Sequence, residues 1–204
     1  MPGKSPTILI GGIPGVGKSS ISGYIASNTG IDIVLSGDYL REFIRPFSDF
    51  DSFNVLKSSV YESWSMFGEK TRENIERGFL SQAEVINRGV SAILRRSLDN
   101  GEPLIVESLY FVPSQLDSEI LDEILPVYLF ISDRTLHEKR LNERQEFTHF
   151  KSPGQRLSRQ LDVYRVMMDY SLRECKKFNV ATFDNIDYLN TRERILKHIK
   201  EKMG

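Results

Sequence analysis

The chain has 204 residues, 40% of them hydrophobic and 27% charged, with a formal net charge of −1. That make-up suits one globular domain with a sizeable core, and the balanced charge supplies no global field to recruit nucleic acid. A single cysteine, Cys175, excludes an internal disulfide and a cysteine-rich metal site. It lies in a helical, partly apolar stretch, Ser171 to Phe178, which suits a buried filler. No apolar run approaches the ~20 residues of a membrane helix. Met1 to Pro6 lack the charged-then-apolar layout of a signal peptide, so the expectation is a cytoplasmic protein, monomeric or homodimeric.

Thr7 to Gly11 is a continuous apolar run, as expected of a strand covered on both faces of a parallel sheet. Directly after it comes Gly12-Ile13-Pro14-Gly15-Val16-Gly17-Lys18-Ser19, which fits G-x-x-x-x-G-K-[ST] without a mismatch. Its glycines let the backbone N–H groups turn inward onto phosphate oxygens, and the helix that follows adds its positive end. Lys18 is placed to reach the β- and γ-phosphates, and the Ser19 hydroxyl to bind Mg²⁺. Ser20 is a further candidate for nucleotide binding, in the first turn of a helix whose buried face is Ile21, Tyr24 and Ile25. Gly30 is its stop signal.

Ile31 to Leu35 is predicted as the second strand. Asp38-Tyr39-Leu40-Arg41 then opens a short helix that Pro46 must stop. Ligands of open α/β sheets lie beyond the carboxyl ends of the strands, so Asp38 shares an edge with the phosphate loop. Its carboxylate either faces the ligand edge or serves as an N-cap, and Arg41 shares its helical face. Residues 46–65 read as irregular and aromatic, with Lys57, Ser58 and Tyr61 as candidates for holding an anionic acceptor. A long amphipathic helix is expected over 69–98, ended by Asn100-Gly101.

Pro103 to Glu107 is the third strand. Glu107 stands at its carboxyl end, where it either organises Mg²⁺ or meets the acceptor hydroxyl. A short helix over 114–124 and a strand over 126–131 follow. The next helix carries Arg134, Arg140 and Arg144 and runs into Pro153-Gly154. Arg140 and Arg144 share a face and are candidates to clamp phosphates, against the alternative of a wet face paired with Glu138, Glu143 and Glu146. A second long helix is expected over 155–177, a fifth strand over 179–183 ending at Asp184-Asn185, and a closing helix over 191–203.

Strand and helix alternation gives a doubly wound α/β sheet. A phosphate loop followed by a strand and Asp-x-x-Arg resembles small P-loop kinases: polynucleotide 5′-hydroxyl kinases, zeta-toxin-type kinases and, most closely, archaeal 2-phosphoglycerate kinases. Ser58 to Trp64 resembles a segment of the last group, as does Glu107 to Pro113, although Ser108 and Tyr110 stand where that group is expected to carry Gly and His. The resemblance implies a P-loop NTPase fold, three-layer α/β/α, with a five-stranded parallel sheet of order 2-3-1-4-5. It covers nearly the whole chain as one domain, with a substrate-side insertion over about 42–100 and a helical lid over about 134–156. It implies ATP and Mg²⁺, Asp38 as base, Arg41 on substrate or transferring phosphate, and Asn185 near the adenine. The implied acceptor is a small anionic alcohol, with 2-phosphoglycerate giving 2,3-bisphosphoglycerate. A nucleic-acid 5′-hydroxyl is the alternative acceptor, disfavoured by the charge balance, and a non-catalytic nucleotide switch is the third reading.

Overall fold

In the computed structural model, which describes residues 6–47, 51–147 and 154–203, the strands form one sheet of order β2-β3-β1-β4-β5. Among the described residues these are β1 (Thr7–Gly11), β2 (Val34–Ser36), β3 (Leu104–Ser108), β4 (Leu125–Phe130) and β5 (Ala181–Asp184). Every pairing is parallel, which requires a crossover between successive strands. The helices are α1 (Lys18–Thr29), α2 (Gly37–Ile44), α3 (Arg72–Asn100), α4 (Ser118–Glu123), α5 (Arg134–Phe147), α6 (Gly154–Ser158), α7 (Leu161–Lys177) and α8 (Tyr188–Met203). The order reverses beside β1, so right-handed crossovers lay helices on both faces. Contacts bear this out: Tyr24 of α1 donates to Glu193 of α8 at 2.6 Å on one side. Arg72 of α3 donates to Asp169 of α7 at 3.2 Å on the other.

β1 and β3 are buried at every residue, as their uninterrupted apolar runs require. β2 is shorter and later than expected. Gly30 in the left-handed conformation caps α1, and the N–H groups of Gly30 and Ile31 both bond to Ala26 O. The chain therefore stays in the helical turn through Ile31 and joins the sheet only at Ile33 O, which accepts from Ile105 N at 3.0 Å. The long helix expected over 155–177 is two helices, α6 and α7. Gln160 leaves helical geometry (φ −102°, ψ 12°) and its N–H bonds one residue short, to Leu157 O. Leu157 and Leu161 continue the same apolar period across the break, so periodicity alone does not reveal it.

The segment read as irregular contains 3₁₀ turns over Arg45–Phe47, Asp51–Leu56 and Val60–Met66. The last lies directly on α3, whose Gly78 makes the approach fit: a Cβ there would stand 2.5 Å from the Ser63 carbonyl carbon. α3 itself starts at Thr71, whose hydroxyl accepts from Asn74 N at 3.2 Å. It ends at Gly101 in the left-handed conformation. Phe79 of α3 stacks on Tyr110 (6.4 Å, 13°), joining the helix to the segment after β3. Cys175 is buried, as its surroundings in the sequence predict. Among the described residues no helix is long and apolar enough to cross a membrane.

Candidate active site

A cleft of about 570 Å³ opens at the carboxyl edge of the sheet. The phosphate loop and the start of α1 form its floor. Ser36 and Asp38 reach it from the end of β2, Glu107 and Leu109 from β3, Arg140 and Glu143 from α5, and Asn185 and Tyr188 from beyond β5.

The loop is built to expose N–H groups. Gly15 and Gly17 have φ of +85° and +92°, a conformation that a side chain resists. α1 starts at Gly17 with no side-chain cap and no acidic residue in its first turn, so its terminal donors and positive end face an anion unopposed. Lys18 Nζ donates to Ile13 O at 3.3 Å. The Ser19 hydroxyl donates to Glu107 Oε1 at 2.9 Å, while Glu107 Oε2 is buried with no partner among the described residues. A buried, unsatisfied carboxylate oxygen beside a serine hydroxyl is a donor set that suits a hard divalent cation. Ser19 and Glu107 are the residues that fit Mg²⁺.

Asp38 is exposed and lines the cleft from the first turn of α2. The cap position of that helix falls to Ser36, so the carboxylate is not consumed as a cap. Arg41 turns the other way. It is buried, and its Nη2 donates to the carbonyl oxygens of Leu56 (3.1 Å) and Ser58 (2.7 Å). Its Nη1 meets Glu42 at 2.6 Å. Ser58 and Tyr61 also stand outside the cleft lining. Ser58 gives its carbonyl to Arg41 and to Gln82 Nε2 (3.0 Å), and its hydroxyl is buried without a partner among the described residues. Tyr61 packs edge-on against Tyr164 at 6.0 Å.

Tyr110 and Gln82 complete this buried polar layer. The Tyr110 hydroxyl donates to Gln82 Oε1 at 3.0 Å, and both residues are almost wholly inaccessible. Burial pushes the Tyr110 phenol well above its usual range; the Arg41 charge draws it down and the Asp38 charge raises it. The phenol is thus a permanent donor. Gln82 carries no sequence signal, since it sits in a long amphipathic pattern as one polar position among many.

Arg140 reaches the cleft from α5 and donates to Ile186 O at 3.0 Å. Desolvation lowers its pKa, and the Asp184 and Glu143 charges counter this. Of Arg144 only the backbone, within α5, belongs to the described residues. Part of the expected lid, 148–153, lies outside them. Asn185 is fully buried, and its Nδ2 donates to Val16 O at 2.8 Å, so it holds the loop from beneath. His137, which the sequence marks in no way, does the same from α5: it is fully buried and its Nε2 lies 2.9 Å from Pro14 O. Ser20, exposed at the start of α1, lines the cleft, and its carbonyl accepts from Tyr188 at 3.4 Å.

A parallel sheet in this order, with a phosphate loop after its central strand and a carboxylate at the end of each strand on one side, defines the class: a P-loop kinase. No family model matches the chain. It is 47% identical over 198 residues to the mevalonate-3-phosphate 5-kinase of Thermoplasma acidophilum, covering 97% of each. It is 29% identical over 204 residues to the 2-phosphoglycerate kinase of Methanocaldococcus jannaschii, and 32% identical over 197 residues to that of Pyrococcus horikoshii. These matches cover 98% and 96% of this chain but only 65% and 64% of those enzymes, so the chain spans a little under two thirds of their length. Among solved structures, shikimate kinase of Acinetobacter baumannii superposes with a TM-score of 0.56 at 14% identity, covering 97% of this chain and 94% of that one. A gluconokinase of Sinorhizobium meliloti does so with 0.55 at 15%, covering 98% and 94%; both share the fold. The chain belongs to the family of P-loop small-molecule kinases that holds the mevalonate-3-phosphate 5-kinase and the archaeal 2-phosphoglycerate kinases.

Proposed function

We propose that the chain is an ATP- and Mg²⁺-dependent kinase whose acceptor is a small alcohol already bearing a phosphate, with mevalonate 3-phosphate, phosphorylated at its 5-hydroxyl, in first place. The observation that carries the kinase reading is the pairing of Ser19 with Glu107, one of whose oxygens is left open, in the same cleft as the exposed Asp38. The acceptor rests on the 47% identity over nearly the full length of both chains. This displaces the expectation of 2-phosphoglycerate, which rests on lower identity to enzymes half as long again.

The roles follow from position. The N–H groups of the loop and the first turn of α1 hold the phosphates, and Lys18 neutralises their charge. Ser19 and Glu107 would hold Mg²⁺, which would supply further neutralisation of the phosphate charge. Asp38 takes the proton of the acceptor hydroxyl as that oxygen bonds to the γ-phosphorus, and the bond from the γ-phosphorus to the β,γ-bridging oxygen breaks to release ADP. Arg140, which lines the cleft from α5, meets the charge that develops there, and Arg144 of the same helix is assigned to it by the sequence pattern alone. The assignment of about 42–100 to the acceptor side and of about 134–156 to the lid rests on the family resemblance, since the described residues that line this cleft include none from 42–100.

The test is an acceptor screen with labelled ATP over mevalonate 3-phosphate, mevalonate, 2-phosphoglycerate, gluconate, shikimate and a 5′-hydroxyl oligonucleotide. Label is expected in the mevalonate 3-phosphate reaction. Transfer to 2-phosphoglycerate or the oligonucleotide alone would replace the acceptor, and ATP turnover independent of every acceptor would remove the kinase reading.

A further inference from the structure

Three carbonyl groups of the phosphate loop are each held by a side chain from a different place: Ile13 O by Lys18, Pro14 O by His137 and Val16 O by Asn185. A trans peptide is planar, with its C=O and the next residue's N–H on opposite sides, and the described chain contains no cis peptide. Pinning Pro14 O toward α5 therefore aims Gly15 N–H away from α5, and pinning Val16 O aims Gly17 N–H away from Asn185. The Ile13–Pro14 peptide carries no N–H to aim, and there the partner is the loop's own lysine.

His137 is placed for this with care. Asp133 caps α5 by accepting from Leu136 N at 2.9 Å, and His137 N bonds to Asp133 O at 3.1 Å. The imidazole is thereby fixed against Pro14 and Gly15, where an added Cβ on Gly15 would meet His137 Cδ2 at 3.2 Å and Leu141 Cδ2 at 2.8 Å. Pro14 O can only accept, so Nε2 carries the proton. Nδ1 is buried with no partner among the described residues. Arg140, three residues further along the same helix, lines the cleft. One helix thus grips the outside of the loop and faces its inside.

We propose that His137 is a positioning residue of the nucleotide site: its Nε2–H fixes the Pro14–Gly15 peptide plane so that Gly15 N–H is preorganised for a phosphate oxygen. The inference rests on the reading of this cleft as the ATP site. It follows that His137 acts on nucleotide affinity and not on the acceptor.

The test compares ATP binding by calorimetry, and KM for ATP and for the acceptor, in the full chain and in three variants. His137→Leu keeps bulk and loses the donor. His137→Gln keeps an amide N–H where Nε2 stands, and His137→Asn keeps one only where Nδ1 stands. His137→Leu and His137→Asn are expected to weaken ATP binding about tenfold, the scale of one well-aligned hydrogen bond, with the acceptor KM unchanged. His137→Gln is expected to recover most of the loss. If His137→Leu does not fold, the Gln and Asn pair decides. Equal ATP affinity in those two, or an acceptor KM that rises in step with the ATP KM, would overturn the proposal. A wild-type chain that binds no ATP would overturn the reading of the cleft as well.

Discussion

Arg41 Nη2 donates to Ser58 O at 2.7 Å, so the arginine after the strand-end aspartate ties α2 to the segment leading into the Val60–Met66 turn. The same nitrogen reaches Leu56 O, and Leu56 is wholly buried. Removing the guanidinium takes the donor from Leu56 O, at about 1–3 kcal/mol when buried, while Ser58 O keeps Gln82 Nε2 at 3.0 Å. Arg41→Met is expected to lower unfolding free energy by about 1–3 kcal/mol in a urea titration. A variant that loses transfer while keeping the wild-type midpoint would show instead that Arg41 serves the reaction directly.

Asp38→Asn removes the base and keeps the shape. Transfer is expected to fall by about 10²–10⁴-fold, with ATP affinity within about twofold of wild type because the loop and α1 are untouched. Rapid-quench measurement of transfer beside a binding titration checks both halves. Near-normal transfer in this variant would take the proton-accepting role from Asp38.

Burial lowers the pKa of His137; the Pro14 carbonyl opposes this, and the positive charges of Arg165 on α7 and of Arg140 and Arg134 on α5 add to the lowering. From the phosphate loop, the Pro14 carbonyl and Gly15 stand against the ring. Between the lowered value and the ordinary histidine value near 6.5 the unfolded chain binds a proton that the folded chain refuses. Stability therefore falls as pH drops through about 6.5, and levels off once the folded imidazole protonates. The slope from this one group is at most about 1.4 kcal/mol per pH unit. Urea titrations across that window should show it in wild type and a shallower dependence in His137→Gln; identical dependences would exclude His137 as the source.

Cys175 is fully buried, and burial pushes its thiol up to about 12. The thiolate is the reactive form. The native chain should react with Ellman's reagent at about pH 8 only as fast as it opens, and unfolded chain within the dead time. Fast labelling of the native chain would place the thiol at the surface.

What the sequence made legible was what is local. β1, β3 and β4 are short apolar runs, and the phosphate loop, Asp38 and Glu107 are placed by adjacency to strand ends. The long-range contacts were not legible, because their partners are far apart in the chain. Arg41 reads as a charge for the cleft, and only the carbonyls of Leu56 and Ser58 turn it inward. His137 looks like any polar position of a weakly amphipathic helix until α5 is folded against Pro14. Tyr110 stands out as a departure from a family pattern, but its hydroxyl meets Gln82, which no motif marks.

Ser36, at the end of β2, lies level with Glu107 on its neighbour β3. The chain between them leaves the sheet, forms α2, the 3₁₀ turns and α3, and returns one strand away. Whatever that excursion becomes, the register of its two feet is set by the sheet and not by the excursion. On the proposed reading of this excursion as the acceptor side, a new acceptor would be reached by changing its exposed positions while Ser19 and Glu107 remain opposed, without rebuilding the donor site.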